Sequence, residues 1–317
     1  VPTVAVGAVA NANLAFANAD HTVSPGDIMG GAVVVDIVVS PLSVPLRDPF
    51  VIATGRIDTT CAVLVEVVVQ DPWGRRGRGL GEAAALPPVT PCNQADLLGW
   101  LTEGARRLMG HGVDHHIGSH ARLQAAVDDA LAPFASMPGV AVARSGLECA
   151  LLFAWADLLD VGLHRLLGGS AAGDDLVVVT DITIPIGTPD EMARLARGWA
   201  HQGFGCFKMK VGRSDDLGGH DDDERAITAI ARAVPGASVR LDGNAGQTVP
   251  RALACARVAA SAGLTVELLE QPGPKDDVAA LMTLSRTASV PVIADESVAT
   301  VDDVVRLADA GVTGVNL

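Results

Sequence analysis

After residue 175 the sequence alternates between two textures at a steady interval, and that alternation constrains the fold more than any single motif. The runs DLVVVTDITIPIG, GCFKMKVG, ASVRLDGNAG, LTVELLEQP, SVPVIADES and VTGVNL have the length and β-branched content of strands. Between them lie TPDEMARLARGWAHQ, DERAITAIARAVP, VPRALACARVAASAG, DDVAALMTLSRTA and TVDDVVRLADAG, with apolar residues at helical spacing. The first of these opens on Thr188 or Asp190, residue types that cap a helix N-terminus. Six strands with five intervening helices predict a parallel β/α series. No GxGxxG and no P-loop follows any of the strands, so a dinucleotide-binding open sheet has no fingerprint here.

Charged residues recur in step with the strands. Lys208 and Lys210 flank Met209, and residues i and i+2 of a strand share a face. Two ammonium groups on one buried face would repel each other and lose hydration, so the pair calls for partners. Each of the next three strands ends on an acid: Asp242 in RLDGN, Glu270 in LLEQP and Asp295 in IADES. The steps from Lys210 are 32, 28 and 25 residues, one strand-helix unit each. In a closed barrel such strand ends lie side by side around the C-terminal mouth, where barrels carry their chemistry. Three converging carboxylates repel, and a hard divalent cation removes that repulsion. An all-oxygen set without Cys or His favours Mg²⁺, with Mn²⁺ the close competitor. Burial, the cation and the neighbouring ammonium would each lower a lysine pKa. A neutral Lys210 could then take a proton from a carbon alpha to a carboxylate while the metal carries the charge of the enediolate. Lys208 would add a second positive field behind that base.

Composition narrows the partners. The 317 residues carry a net charge of −14 and no basic block, which argues against nucleic acid and against an anionic membrane surface. The five cysteines are scattered without a CxxC, so neither a zinc knot nor a disulfide framework is expected, and a reducing, cytoplasmic setting is the default. No apolar run reaches membrane-span length, and the first residues lack the basic start of a signal peptide. In the first half, GAVVVDIVVS and TTCAVLVEVVV read as strands joined by a long proline-bearing loop, PLSVPLRDPFVIATGRID. GLGEAAALPPVTPC follows as another Pro-rich segment, and residues 94–109, 119–132 and 143–160 have helical periodicity.

These motifs resemble the enolase superfamily in its muconate-lactonizing branch. The resemblance covers about residues 31–317 and rests on PLSVPLRDPF, GLGEAAALPPVTP, ARSGLECALLFAWADLL, LLGG, KMKVG, LDGN, ELLEQP, ADES and VNL. It implies an α/β fold, a modified TIM barrel of (β/α)7β type with an N-terminal α+β capping domain. Residues 31–145 would form the cap and 146–317 the barrel, with 1–30 an extension of unclear role. Within residues 1–30, ANLAFANADHTVSPGDIMGG also faintly resembles, together with the start of the first strand, the segment that ends barrel strand eight. By the same resemblance, Asp242, Glu270 and Asp295 match the metal ligands and Lys210 the base, with Lys208 its partner. Asn244 and Glu296 match positions beside the metal. Residues 46–56 and 81–90 should line the substrate, and Arg47, Phe50, Arg56 and Thr183 are the substrate-contact candidates.

The segment TDITIPIGTPDEM looks most like dipeptide epimerases, including the L-Ala-D/L-Glu type, which invert the alpha carbon of the second residue. That resemblance implies a small-molecule substrate and a homo-oligomer. N-succinylamino-acid racemases, o-succinylbenzoate synthases and cycloisomerases share almost every motif quoted, and a non-catalytic barrel homologue is the structural alternative. An acid-sugar dehydratase would place a His base on a late strand, and the KxK pair argues against it. In the family a second lysine follows the sixth-strand motif, at the position after Leu317, and an Asp-x-Asp that grips the dipeptide ammonium comes two strands later. The sequence stops before both and is expected to be incomplete there. Gln247 stands where many relatives carry Trp, which bears on pocket shape rather than on the metal.

Overall fold

The computed structural model describes residues 31–87, 89–113, 120–167, 169, 180–213 and 219–316. Residues 1–30, and any role for them, lie outside the described residues. By their contacts the residues fall into two compact units. Among the described residues, the barrel unit holds residues 48–57 and those from 180 onward, and the sheet unit holds residues 31–47 and those from 58 to 169.

The sheet unit is built on β1 (Ala32–Ile52), β2 (Gly55–Gln70) and β3 (Arg76–Ala85), with a two-residue β4 (Gly112–Val113). Their order is β3-β2-β1-β4, antiparallel where β2 meets β3 and where β1 meets β4. The segment expected as a long loop is instead mostly strand: β1 runs to Ile52 and turns only at Ala53 and Thr54. Its prolines, Pro41, Pro45 and Pro49, are four residues apart, so their missing N–H groups all face the same way. Among the described residues β4 pairs with Ala32 and Val33, before the first of the prolines, so none of the three interrupts that pairing.

Helices α1 (Gln94–Leu108), α2 (His120–Leu131) and α3 (Val140–Leu158) follow the expected spans closely, and a short α4 (Leu163–Leu166) comes after them. The expected division at residues 145 and 146 falls inside α3, which packs along β3. That packing is unusually close. A β-carbon at Gly77, Gly79 or Gly81 would stand 2.1, 2.1 or 1.9 Å from the carbonyl oxygens of Ala154, Ala150 and Gly146. Small residues every second position on the strand and every fourth on the helix let the two backbones nearly touch. Gly81, Ala83 and Ala85, within the stretch expected to line substrate, are buried on this face.

The barrel unit contains six parallel strands: β5 (Ile182–Ile184), β6 (Cys206–Lys210), β7 (Ser238–Asp242), β8 (Thr265–Glu270), β9 (Val292–Ala294) and β10 (Gly314–Val315). They lie in sequence order, with α5 (Pro189–His201), α6 (Gly219–Ala233), α7 (Val249–Ser261), α8 (Val278–Thr287) and α9 (Val301–Asp309) between them. With the capping sheet, this is a modified (β/α)-barrel architecture. Thr188 caps α5: its hydroxyl accepts the Glu191 N–H while the Glu191 carboxylate accepts the Thr188 N–H. Phe207, Met209, Leu241 and Leu269 pack with Ile227, Ile230, Leu281 and Leu284 of the helices. Burying Met209 on that side turns Lys208 and Lys210 together to the other. No described helix is long and apolar enough to cross a membrane.

The contact between β3 and α3 yields the first prediction. Gly79→Ala puts a methyl group onto helix backbone, which cannot rotate away, and should destabilise the protein by about 1–3 kcal/mol or more. Chemical denaturation checks this; a variant as stable as wild type would mean that the helix can lift off the strand without cost.

Candidate active site

Strand register sets the site. Lys210 pairs with Asp242 across β6 and β7, and Asp242 pairs with Glu270 across β7 and β8. Lys208 is level with Thr183 on β5. The Lys210 Nζ lies 2.5 Å from Asp242 Oδ2, and the Lys208 Nζ lies 3.1 Å from the same oxygen and 2.5 Å from Glu270 Oε1. Two ammonium groups therefore share one carboxylate oxygen, the ionic answer to placing both on one face. Asp242 is fully buried, and its other oxygen accepts the Asn244 N–H at 3.0 Å. Asn244 has φ +38°, a left-handed conformation that asparagine tolerates better than most residues. Its side-chain amide donates to Glu296 Oε1 at 3.1 Å.

These contacts set the electrostatics of the site. Burial would lower the Lys208 pKa, but the hydrogen bond to Glu270 and the charges of Asp242 and Glu270 outweigh it. The ammonium is held above its ordinary value rather than below. Burial raises the Glu270 carboxyl; the Lys208 hydrogen bond opposes that rise, and the charges of Asp242 and Asp295 add to it. Asp295 is likewise raised, by burial and then by Glu296 and Asp242.

The expected three-carboxylate cluster is not drawn together. Among the described residues no three His, Cys, Asp or Glu side chains are grouped to hold a metal. Asp242 and Glu270 are instead held by the lysines, while Asp295 makes its own backbone contacts. The donor chemistry nonetheless fits a hard cation. Asp242, Glu270 and Asp295 offer carboxylate oxygens, and the charge of Asp242 helps to raise the carboxyls of both Glu270 and Asp295, as a missing positive charge would predict. Two further buried oxygens beside them, Asn244 Oδ1 and Glu296 Oε2, have no hydrogen-bond partner.

The remaining candidates divide. Phe50 reaches the site, its ring centroid 5.8 Å from Lys210 Nζ, a cation–π distance. Arg56 borders a cavity of about 650 Å³ within the barrel unit, where Val51, Ile52, Pro185 and Ile186 form an apolar wall. Arg47 is exposed on β1 and belongs to the sheet unit. Gln247 is buried, donating to the Cys255 sulfur and lying against the backbone of Gly212 and Gly243.

Sequence reasoning passed over Asn316 and Gln271. The Asn316 side-chain amide donates to Glu270 Oε1 at 3.1 Å, and its N–H to the Ala294 carbonyl. Its signal was the polar residue closing VTGVNL, at the same strand-end position as the acids.

Lysines and carboxylates brought to the C-terminal strand ends of a β/α barrel define an acid–base enzyme class. Residues 191–317 match the family model described as enolase C-terminal domain-like. A hydrophobic dipeptide epimerase of Citrifermentans bemidjiense is 33% identical over 290 residues, covering 89% of this chain and 73% of the relative. An aromatic dipeptide epimerase of Herpetosiphon aurantiacus is 31% identical, covering 86% and 71%. Among solved structures, a substrate-liganded complex of the L-Ala-D/L-Glu epimerase of Bacillus subtilis is similar with a TM-score of 0.74. It is 28% identical, and the match covers 89% of this chain and 73% of that one. The chain belongs to the enolase superfamily, in its mandelate racemase/muconate-lactonizing branch. Its chemistry at the family level is that of the superfamily's epimerases and isomerases.

The raised acids generate the second prediction. A carboxyl whose folded pKa is raised stabilises the fold below its unfolded pKa, and that contribution is lost as pH rises through the folded value. At neutral pH in EDTA, Asp295 is thus a net burden on the fold. Asp295→Asn should raise the melting temperature under those conditions by about 2–4 °C, and by less in high salt, where repulsion is screened. Calorimetry at neutral and acidic pH checks this; a melting temperature that falls in EDTA at pH 7 would contradict it.

Proposed function

We propose that the protein epimerises dipeptides, inverting the alpha carbon of the second residue by removal and return of its proton. The observation that carries this reading is the pair Lys208 and Lys210, co-facial on β6 and meeting the carboxylates of β7 and β8. The dipeptide epimerases among its relatives supply the substrate class.

Asp242, Glu270 and Asp295 would hold the Mg²⁺, with Mn²⁺ as an alternative. When bound, the cation supplies the positive field that makes a proton alpha to a carboxylate acidic enough to transfer. Lys210 takes that proton on Nζ, and its return on the opposite face needs a second proton donor there, the role the resemblance gives to a second lysine. Lys208, sharing Asp242 Oδ2 with Lys210, keeps a second positive charge at the same strand end. The Phe50 ring lies against Lys210 Nζ at a cation–π distance. Asn244 holds Glu296 in place beside Asp242. Arg56 and the apolar wall of Val51 and Ile52 favour a small substrate with a carboxylate and a modest side chain. Thr183, level with Lys208 on the neighbouring strand, stands as a further contact.

Incubation in D₂O with a library of L,L-dipeptides and N-succinylamino acids, read by mass spectrometry, tests this reading. Wild type should incorporate deuterium into dipeptides, and Lys210→Ala should slow exchange from one face of the alpha carbon by about 10²–10⁴-fold or more. Incorporation confined to the N-succinyl compounds would reject the dipeptide substrate. Unchanged exchange by Lys210→Ala from both enantiomers would reject Lys210 as the base.

A further inference from the structure

The strand ends that carry Glu270 and Asp295 are joined by one side chain that the chemistry above does not use. Gln271, immediately after Glu270, is fully buried. Its Oε1 accepts the Asp295 N–H at 2.8 Å and the Ser297 N–H at 3.2 Å. Its Nε2 donates to the Gly273 carbonyl at 2.9 Å and to Ser297 Oγ at 2.8 Å. A primary amide offers two lone pairs and two hydrogens, so this one is saturated. The two N–H groups it receives bracket the pair Asp295–Glu296 on both sides, and Ser297 is anchored in turn to the Lys275 carbonyl at 2.7 Å. The Gln271 backbone sits at φ +30°, in the left-handed region, and its own N–H goes to the Ile293 carbonyl at 2.8 Å. A non-glycine residue persists in that region where surrounding bonds fix it.

The geometry points to Gln271 as a positioning residue for the cation site: it sets the Asp295 carboxylate relative to Glu270 by clamping the backbone on either side of Asp295–Glu296. Acting through backbone, it touches neither substrate nor metal. A simple core glutamine would need partners only for its own satisfaction. Here three of the four contacts go to the segment that carries Asp295, and the side chain comes from the residue next to Glu270. Side chains that orient metal-binding groups typically govern affinity by 10–100-fold when removed. The inference rests on the reading of Asp242, Glu270 and Asp295 as Mg²⁺ ligands.

The test is Mg²⁺ titration calorimetry on wild type, Gln271→Leu and Gln271→Asn, with circular dichroism and thermal unfolding in EDTA to establish that each is folded. Gln271→Leu removes all four bonds, and Gln271→Asn leaves an amide one methylene short with little lost volume, which serves if the leucine variant does not fold. Both should bind Mg²⁺ about 10–100-fold more weakly than wild type while folded in EDTA. A purely structural role would lower the unfolding temperature and leave the Mg²⁺ affinity of the folded protein within about threefold of wild type, and that result overturns the proposal. Absence of Mg²⁺ binding by wild type itself would instead overturn the reading of the ligands, and the inference with it.

Discussion

Two ammonium groups bound to one carboxylate oxygen hold this site together. Asp242 Oδ2 is the point at which β6 and β7 exchange charge, and Glu270 extends the ladder to β8. Buried charges are tolerated only when paired, and here the pairing is a direct result of register. Lys210, Asp242 and Glu270 are level across three strands because parallel pairing brings their chain positions into line. A slip of one residue in any of these strands would send its charged side chain into the apolar layer of Met209, Leu241 and Leu269, where nothing could neutralise it. The packing of the helices against one sheet face and the ionic ladder on the other therefore specify the same register.

That coupling explains why the barrel half was legible from sequence. Alternation fixes which side each residue takes, and the intervals between acids fix which strand each belongs to. The cap half was read less well. Three prolines in PLSVPLRDPFVIATGRID suggested a loop, because proline disrupts a strand that is paired on both sides. Sequence does not reveal that, among the described residues, β4 pairs with the start of β1, ahead of the prolines, so their harmlessness depends on tertiary pairing. The same holds for Gly77, Gly79 and Gly81. Nothing in their spacing names the partner, and only the approach of α3 turns them into a packing requirement.

Within the site, the acids and lysines could be found because their charge is conspicuous in a chain with few cations. Gln271 and Asn316 are neutral, and a neutral amide at a strand end carries no signal until its partners are located. What holds the Lys208 ammonium was hidden for a related reason: burial and a like charge were visible in the KxK triplet, whereas the hydrogen bond to Glu270 depends on a partner 62 residues away.

The hairpin of β1 and β2 has a consequence for how such a protein can be recombined. Its tip, Asp48–Ile57, groups by contacts with the barrel, while the strand residues on either side group with the capping sheet. Neither unit is a continuous stretch of chain. An exchange of N-terminal halves between relatives, cut after residue 57 and before the barrel strands begin, would carry the segment bearing Phe50 and Arg56 with the cap and seat it on a barrel it did not arise with. Phe50 and Arg56 would then come from one parent and Lys208, Lys210, Asp242 and Glu270 from the other, so the lining of the cavity could be varied by crossover with the ionic ladder intact.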